Sequence, residues 1–276
     1  MVLRLTRDKL VQVRQKLKTY PGTLKIVGEI DATLENHTGG YDFIVDRWPE
    51  FTAVVSQAKP EAMGYSESSV NLYATDKNAL KSFLHSPDIF NWAQKKERFV
   101  FAAVHTRLVP VVTEVMDHFQ IPCKVNIDVV YMTVTQRSLK LRPVPEGFTL
   151  TSVQTDQAPL INSLWKFSSG EASEAHIRLL ISKRPSTCLY NEAGVLLGYA
   201  LTYLYGCQGM LHVIKEHRGK GYGKVIMSQL ALKNLQVKTE VSVIIESDNE
   251  PSLRLHENMG FEVVPNVTAN WIACNY

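Results

Sequence analysis

Glycines and basic residues are concentrated between residues 209 and 224, in a spacing that could bind an anion. The motif Arg218-Gly-Lys-Gly-Tyr-Gly223 follows an apolar run at 210–214 and precedes a helix-patterned stretch at 224–235. Glycines between a strand and a helix let successive backbone N–H groups face one concavity, where the helix N-terminus adds partial positive charge. The bases of this segment, opposed by the single acid Glu216, are Lys215, Arg218, Lys220 and Lys224. The pattern therefore predicts a loop that binds pyrophosphate through the backbone of residues 219–223.

Two other phosphate-binding loops fit the segment less well. A dinucleotide-binding fold needs a parallel strand–helix–strand unit, whereas the runs at 187–191, 195–205 and 210–214 are separated by short turns and predict an antiparallel meander. A P-loop needs Ser or Thr after its lysine, and here Val225 follows Lys224. A glycine-rich turn without a ligand is the remaining alternative.

The glycine motif resembles the acyl-CoA loop of the Gcn5-related N-acyltransferase superfamily, whose signature is Arg/Gln-x-x-Gly-x-Gly/Ala. A second motif lies downstream, where a β-branched run at 241–246 is followed by Asn249, Pro251 and Gly260-Phe261. It is similar to the superfamily's strand, Asn-containing turn, short helix and Gly-Phe pair. Asn249 suits a helix cap and Pro251 suits a first helical turn. The resemblance implies that acyl-CoA is the co-substrate.

Four further segments, at 41–51, 82–92, 164–167 and 185–194, resemble landmarks of the glycine N-acyltransferase family. This resemblance covers nearly the whole chain. It implies transfer of an acyl group from acyl-CoA to the amine of glycine or a similar small amino acid. The chain departs from the family at Lys215, where proline is common, and at Ser168-Ser-Gly-Glu171, where Gly-Gly-Asn-Glu is common. Two other functions stay open, a protein or peptide N-acetyltransferase and a CoA-binding protein without catalysis.

Amide formation from a thioester requires a deprotonated amine, a donor for the tetrahedral oxyanion and a proton for the leaving thiolate. The sequence contains no Cys-His-Asp or Ser-His pattern, which favours direct attack on the thioester over an acyl-enzyme. In the resembled family the glutamate at the position of Glu216 is the proposed general base. His256 stands where many superfamily members have a tyrosine that protonates the thiolate. The alternative is a histidine on the helix surface that packs against the co-substrate.

The acyl-CoA contacts that the resemblance implies come from the loop and its neighbours. Backbone at Val213 should pair with the pantetheine amides, Asn249 should reach the pantetheine arm, and Arg218 or Lys224 should reach the phosphates. The full expected set is Val213, Arg218, Gly219, Lys220, Gly221, Tyr222, Gly223, Lys224 and Asn249. No metal site is expected. The four cysteines stand far apart and are interpreted as reduced; they are Cys123, Cys188, Cys207 and Cys274.

The order of the predicted strands and helices that position these residues indicates an α/β (α+β) architecture. After residue 148 the order of strands and helices resembles that of the Gcn5-related N-acyltransferase fold, and the N-terminal half alternates strands and helices without a glycine-rich loop. We expect two tandem copies of this fold, with a degenerate N-terminal copy. A linker at 138–147 divides a domain at 1–140 from a catalytic domain at 141–276. In the first domain we expect strands at 24–30 and 125–134 and helices at 78–85, 87–95 and 99–119.

The composition is that of an ordinary globular protein. Its 276 residues are 45% hydrophobic and carry a formal net charge of +3, too little to indicate a nucleic-acid partner. No apolar run reaches the roughly 18–20 residues that span a membrane. The resemblance implies small-molecule partners, acyl-CoA and an amino acid, and we expect a monomer. Residues 1–20 hold six bases and one acid, with apolar residues near helical spacing, which fits either a mitochondrial targeting segment or a folded helix with a basic face. Because members of the resembled family work in mitochondria, the resemblance implies a mitochondrial location, with the cytoplasm as the alternative.

Overall fold

The computed structural model describes residues 2–37, 40–59, 69–87 and 90–276. Contacts divide the chain into two units, Met1–Val129 with Asn266–Tyr276, and Val130–Pro265. This division differs from the boundary expected between residues 140 and 141, because two long strands run through the dividing positions. They are Cys123–Thr135 and Glu262–Cys274. The last residues of the chain therefore complete the sheet of the first unit.

The first unit is built on one sheet with helices. Its elements are β1 Leu3–Arg4, α1 Arg7–Leu17, α2 Leu24–Leu34, β2 Tyr41–Val45, β3 Ala53–Ala58, β4 Ser69–Ala74, α3 Lys77–Leu84, β5 Phe99–His105, α4 Val109–His118, β6 Cys123–Thr135 and β12 Glu262–Cys274. The strands are ordered β1-β2-β3-β4-β5-β12-β6. Pairing is antiparallel from β1 to β4 and between β5 and β12, and parallel between β4 and β5.

Two apolar clusters form the core of this unit. In one, α1 and α2 contribute Leu10, Val13 and Ile30, which pack with Phe43 and Val54 of the sheet. In the other, side chains of α3 and α4 pack with the strand residues on the other face of the sheet and with the aromatic residues of β5. Since the apolar residues of α1 belong to the core, residues 7–17 form the folded helix that the sequence offered as one of two alternatives.

Two expected elements of the first unit are wrong. Residues 24–30 are not a strand but part of α2, because Ile26 and Ile30 lie one helical turn apart and both face the core. Residues 99–119 are not one helix but β5 followed by α4, because Pro110 favours a new helix start and residues 99–104 fit a sheet buried on both faces. The expected helix at 87–95 includes residues 88 and 89, outside the described residues, and Trp92–Gln94 forms only a 3-10 turn. The helix at 78–85 and the strand at 125–134 are confirmed.

The second unit places the glycine motif between a sheet and a helix. Its elements after β6 are β7 Thr149–Thr151, α5 Ala158–Leu164, α6 Glu171–Lys183, β8 Ser186–Tyr190, β9 Leu196–Thr202, β10 Gln208–Val213, α7 Tyr222–Leu235, β11 Glu240–Glu246 and α8 Glu250–Glu257, followed by β12. The order β10-β9-β8-β7 is antiparallel throughout, which confirms the expected meander. Val225, Ile226 and Leu230 bury one side of α7 against this sheet. β11 does not belong to this four-stranded sheet; it pairs with β6 at the end of the larger sheet, whose order continues β12-β6-β11.

Within the described ranges, no helix is long and apolar enough to cross a membrane. The same ranges hold no cluster of three or more His, Cys, Asp or Glu side chains that could hold a metal ion.

Candidate active site

The loop after β10 holds two glycines in a conformation that other residues rarely adopt. β10 ends at Val213, Lys215–His217 forms a 3-10 turn, and α7 begins at Tyr222. Gly219 has a φ of +78° and Gly221 a φ of +84°, in the left-handed region where a side chain adds strain. A Cβ atom on either glycine would meet no atom of the described residues within 4 Å. Backbone conformation therefore favours glycine at these positions, and the space beside both is open.

Five consecutive backbone N–H groups, from Gly219 to Gly223, donate no hydrogen bond within the described residues. The first backbone bonds of α7 are made by the N–H groups of Lys224 and Val225, which both donate to the Gly221 carbonyl. The unpaired donors thus lie at the positive end of the α7 dipole. Free donors at a helix N-terminus bind anions such as phosphate, so this loop has the donors that a pyrophosphate requires.

The charged side chains around the loop are available to a ligand. None of them forms an ion pair within the part of the chain that the structure describes; they are Lys215, Glu216, Arg218, Lys220 and Lys224. Arg218 instead donates from Nε to the Val213 carbonyl at 2.9 Å. Glu216 is exposed, two residues before Arg218. The loop therefore combines excess positive charge with one unpaired carboxylate.

β10 is an edge strand whose far side faces β11 without pairing to it. Among the described strands it pairs with β9 alone, although β10 and β11 are in contact. The strand contains a bulge with Met210 at a φ of +49°. Since the Ile214 N–H donates to the Leu197 carbonyl, the alternation of an antiparallel ladder turns the Val213 N–H away from β9. Unpaired strand edges of this kind bind extended ligands through backbone hydrogen bonds.

The second sequence motif brings α8 against the loop. The Asn249 side chain caps α8 by accepting a hydrogen bond from the Ser252 N–H at 3.2 Å. A Cβ atom on Gly223 would lie 3.2 Å from Cδ1 of Leu255 and 3.6 Å from Cγ2 of Val213. The absence of a side chain at Gly223 therefore lets α7, α8 and β10 approach closely, which places the glycine loop, Val213 and the capped helix in one neighbourhood.

His256 lies inside the second unit, so the alternative of a surface histidine is wrong. It is 4% exposed, and its ring meets that of Phe261 edge-on with centroids 5.1 Å apart. Nδ1 is 2.8 Å from the Ser252 carbonyl and must donate to it, because a carbonyl can only accept. The buried Nε2 has no partner within the described residues.

Burial lowers the pKa of His256, against a smaller opposing effect of the hydrogen bond to Ser252. In the neutral ring the proton is on Nδ1, which leaves Nε2 as an acceptor. Protonation of a leaving thiolate needs the opposite state. The proton-donor role of His256 thus stays a prediction, and it requires a ring that is protonated on both nitrogens.

Sequence reasoning missed an aromatic partner of His212. Tyr199 on β9 stacks on His212 of β10, with ring centroids 5.7 Å apart and planes 14° apart. Burial raises the pKa of Tyr199, while burial and the Arg218 charge lower the pKa of His212. The two residues are opposite each other in the strand register. Only the register reveals this pair, because it depends on how two distant positions align.

The corresponding turn of the first unit, between β4 and α3, lacks an anion site. The Asp76 carboxylate accepts hydrogen bonds from the N–H groups of Asn78 at 2.8 Å and Ala79 at 3.2 Å. These N–H groups at the start of α3 thus already donate to a carboxylate of the chain itself. The turn also contains no glycine. Of the two turns compared, the one between β10 and α7 therefore has the free donors.

Comparison with known proteins relates the chain to amino-acid acyltransferases. The family model described as aralkyl acyl-CoA:amino acid N-acyltransferase matches residues 1–185, and the model described as FR47-like protein matches residues 188–272. The glycine N-acyltransferase of Bos taurus is 22% identical over 92% of each chain, and that of Homo sapiens is 22% identical over 98% of each chain. The glycine N-phenylacetyltransferase of Bos taurus is 25% identical over 79% of this chain and 80% of its own.

Solved structures show the same fold. A Drosophila protein has a TM-score of 0.83 at 15% identity, covering 99% of this chain and 97% of its own. A tandem GNAT protein from the clavulanic acid biosynthesis pathway has a TM-score of 0.62 at 14% identity, with the same coverage. The expected α/β architecture, with the Gcn5-related N-acyltransferase fold in tandem copies, is confirmed.

Proposed function

Because the chain belongs to the aralkyl acyl-CoA:amino acid N-acyltransferase family, we propose that it transfers an acyl group to the amine of glycine or a similar small amino acid. Membership of this family makes the protein an acyltransferase that uses acyl-CoA as co-substrate. The choice of acceptor is supported by relatives from Bos taurus and Homo sapiens, which are glycine N-acyltransferases. The observation that carries the proposal is the row of five free N–H groups at the start of α7.

The loop and its neighbours hold acyl-CoA in this proposal. The N–H groups of residues 219–223 bind the pyrophosphate, and the charges of Arg218, Lys220 and Lys224 favour the phosphates. The free edge of β10 at Val213 pairs with the pantetheine amides. The Asn249 side chain reaches the same arm with its amide nitrogen, which donates no hydrogen bond within the described residues. The close approach of α7, α8 and β10 at Gly223 supports this assignment.

Glu216 acts as the general base. An α-amino group is mostly protonated at neutral pH and has no lone pair for attack until it loses that proton. The Glu216 carboxylate is exposed and free of ion pairs within the described residues, so it can accept this proton. Direct attack of the amine on the thioester follows, with a backbone N–H near Val213 donating to the developing oxyanion. His256 delivers a proton to the leaving thiolate if its ring is doubly protonated.

One acyl-CoA binds per chain. The turn before α3 presents the Asp76 carboxylate where the loop before α7 presents free N–H groups. A negative charge at that helix start repels phosphate. Titration of the full chain with coenzyme A should therefore give a stoichiometry of one.

The protein acts in the mitochondrion in this proposal. The apolar residues of α1 are part of the core of the first unit, so removal of residues 1–20 on import would expose it. We therefore expect the imported chain to keep this helix. Mass measurement of the N-terminal peptide after import into isolated mitochondria tests this; a cytosolic chain would contradict the location.

The decisive experiment is thiol release from acyl-CoA by the purified full chain. Acetyl-, benzoyl- and long-chain acyl-CoA are each paired with every proteinogenic amino acid, and the product is identified by mass. We expect release that depends on glycine or a similar small amino acid, and much slower release by Glu216→Gln at neutral pH. Release only with a peptide amine would replace this function with a protein or peptide acyltransferase. Binding of acyl-CoA without release on any acceptor would indicate a non-catalytic binding protein.

A further inference from the structure

Two cysteines in the first unit face each other on neighbouring strands. Cys123 is the first residue of β6 and Cys274 is the last residue of β12. One residue beyond the pair on each strand, the Asn275 N–H donates to the Pro122 carbonyl at 3.0 Å. Further along, the Asn270 side chain donates to the Asn126 carbonyl at 3.2 Å, so the strands run antiparallel and the two cysteines are opposite.

The two sulfur atoms are already in contact. The Sγ atoms of Cys123 and Cys274 are 2.6 Å apart, and both residues are free cysteines. This separation is roughly half an ångström longer than a covalent S–S bond of about 2.05 Å. Directly opposed residues of antiparallel strands have Cα atoms about 4.5–5.5 Å apart, which a disulfide can span. Bond formation therefore needs no movement of either strand.

We propose that Cys123 and Cys274 are a redox modification site, at which a small disulfide such as oxidised glutathione converts the two thiols into a bond between β6 and β12. The inference is independent of the acyl-transfer function. It goes beyond the sequence-based interpretation of the cysteines as reduced, because it makes this one pair reversibly oxidisable.

The exposure and the pKa of the two thiols indicate which of them reacts first with the glutathione disulfide. Cys123 is partly exposed and Cys274 is buried. The hydrogen bond from Cys274 lowers the pKa of Cys123, against the opposing effects of burial and of Asp117. The same hydrogen bond and burial raise the pKa of Cys274, against the opposing charge of Lys95. Cys123 is therefore the attacking thiolate, and Cys274 is the thiol that resolves the mixed disulfide.

The exchange balances in two steps. The Cys123 thiolate attacks one sulfur of oxidised glutathione, breaks its S–S bond and releases one glutathione thiolate. Cys274 then gives its proton to water, and its sulfur attacks the Cys123 sulfur and expels the second glutathione thiolate. Two protein thiols are oxidised and one glutathione disulfide is reduced to two glutathione molecules.

The bond would connect positions 151 residues apart. A cross-link over so long a segment restricts the unfolded chain, so the oxidised protein should unfold at a higher temperature. The other two cysteines, Cys188 and Cys207, are buried in the second unit and are not expected to react.

The test oxidises the reduced full chain with oxidised glutathione and then counts thiols and maps peptides by mass. We expect two of the four thiols to be lost, one cross-linked peptide that contains Cys123 and Cys274, and a rise in Tm of several degrees that dithiothreitol reverses. Cys274→Ser should instead accumulate a mixed disulfide of Cys123 with one glutathione, and Cys274→Ala serves if that variant folds poorly. Cys188→Ser is the matched control and should bridge as the wild type does.

Two results would overturn the proposal. One is the survival of all four thiols at a glutathione potential that fully oxidises dithiothreitol. The other is a cross-link or mixed disulfide that involves Cys188 or Cys207 in place of this pair.

Discussion

The Nε atom of Arg218 lies 2.9 Å from the carbonyl oxygen of Val213, so the first residue of the glycine motif is hydrogen-bonded to the end of β10. This bond joins the loop that offers free N–H donors to the strand edge that offers Val213. In the proposed complex with acyl-CoA, both parts must keep their relative position to bind the pyrophosphate and the pantetheine arm of one molecule. Arg218 is thus expected to position the loop in addition to supplying charge.

Replacement of Arg218 separates these two contributions. Arg218→Ala should raise KM for acyl-CoA roughly tenfold, because it removes a charged hydrogen bond and a loop charge together. Lys220→Ala removes a loop charge from an exposed side chain that makes no ion pair within the described residues, so it should raise KM less. Initial rates at varied acyl-CoA measure both. Equal increases in KM would show that only charge matters and that the bond to Val213 contributes nothing.

Two substitutions at Gly221 distinguish backbone strain from electrostatic repulsion in the loop. The φ of +84° means that Gly221→Ala strains the backbone by about 1–2 kcal/mol, but its Cβ meets no atom within 4 Å in the described part of the chain. Coenzyme A binding should therefore weaken moderately in that variant. Gly221→Glu adds a carboxylate beside the five free donors and should abolish binding. Calorimetric titration with coenzyme A gives both affinities. If Gly221→Glu bound as tightly as Gly221→Ala, the loop would not be the pyrophosphate site.

Replacement of Glu216 tests the general base. Glu216→Gln should lower kcat about a hundredfold or more at neutral pH, while KM for acyl-CoA stays near its original value, because the side chain acts on the amine. The defect should shrink as the pH approaches the pKa of the acceptor amine, where free amine becomes abundant without a base. The control Glu257→Gln removes another exposed carboxylate, on α8. Rates of Glu216→Gln that match the control across the pH range would exclude the role.

Local chemistry made the loop and its neighbours predictable from the sequence. The glycine spacing, the basic residues and the Asn249 cap each act within a few positions along the chain, so the pattern alone placed the turn and both helices. The secondary-structure predictions were wrong for segments that are buried on more than one side. The run at 99–104 belongs to a strand covered on both faces, and α2 contains Val and Ile, so neither shows a clear period of two or of 3.6 residues.

The contacts that could not be predicted from the sequence depend on which distant segments become neighbours in the fold. Cys123 and Cys274 are 151 positions apart and meet only because β6 and β12 are neighbours. Tyr199 and His212 meet only through the register of β9 and β10. The burial of His256 depends on the packing of Phe261 and the rest of the core against its helix, which helical spacing alone did not reveal.

Burial of His256 makes stability depend on pH in a defined direction. Its pKa in the folded protein is lowered from the ordinary value of 6.5, so the unfolded chain binds this proton more readily than the folded chain does. The contribution to stability is therefore complete above about pH 6.5 and is lost as the pH falls below that value. One proton can add a slope of at most about 1.4 kcal/mol per pH unit in the free energy of unfolding.

His256→Gln should remove this contribution, because an amide does not titrate. We expect the variant to be less stable than the wild type near neutral pH, since Gln fills the buried site less well. The difference between their midpoints of urea unfolding should then narrow as the pH is lowered from about 7.5 to about 5.5, because only the wild type is destabilised by protonation of this ring. A constant difference over that range would mean that His256 takes up its proton equally well in the folded and unfolded chain. In that case the folded protein would reach the doubly protonated ring at ordinary pH, as a proton donor to the thiolate requires. The same titration therefore tests both the effect of burial on His256 and its proposed role as proton donor.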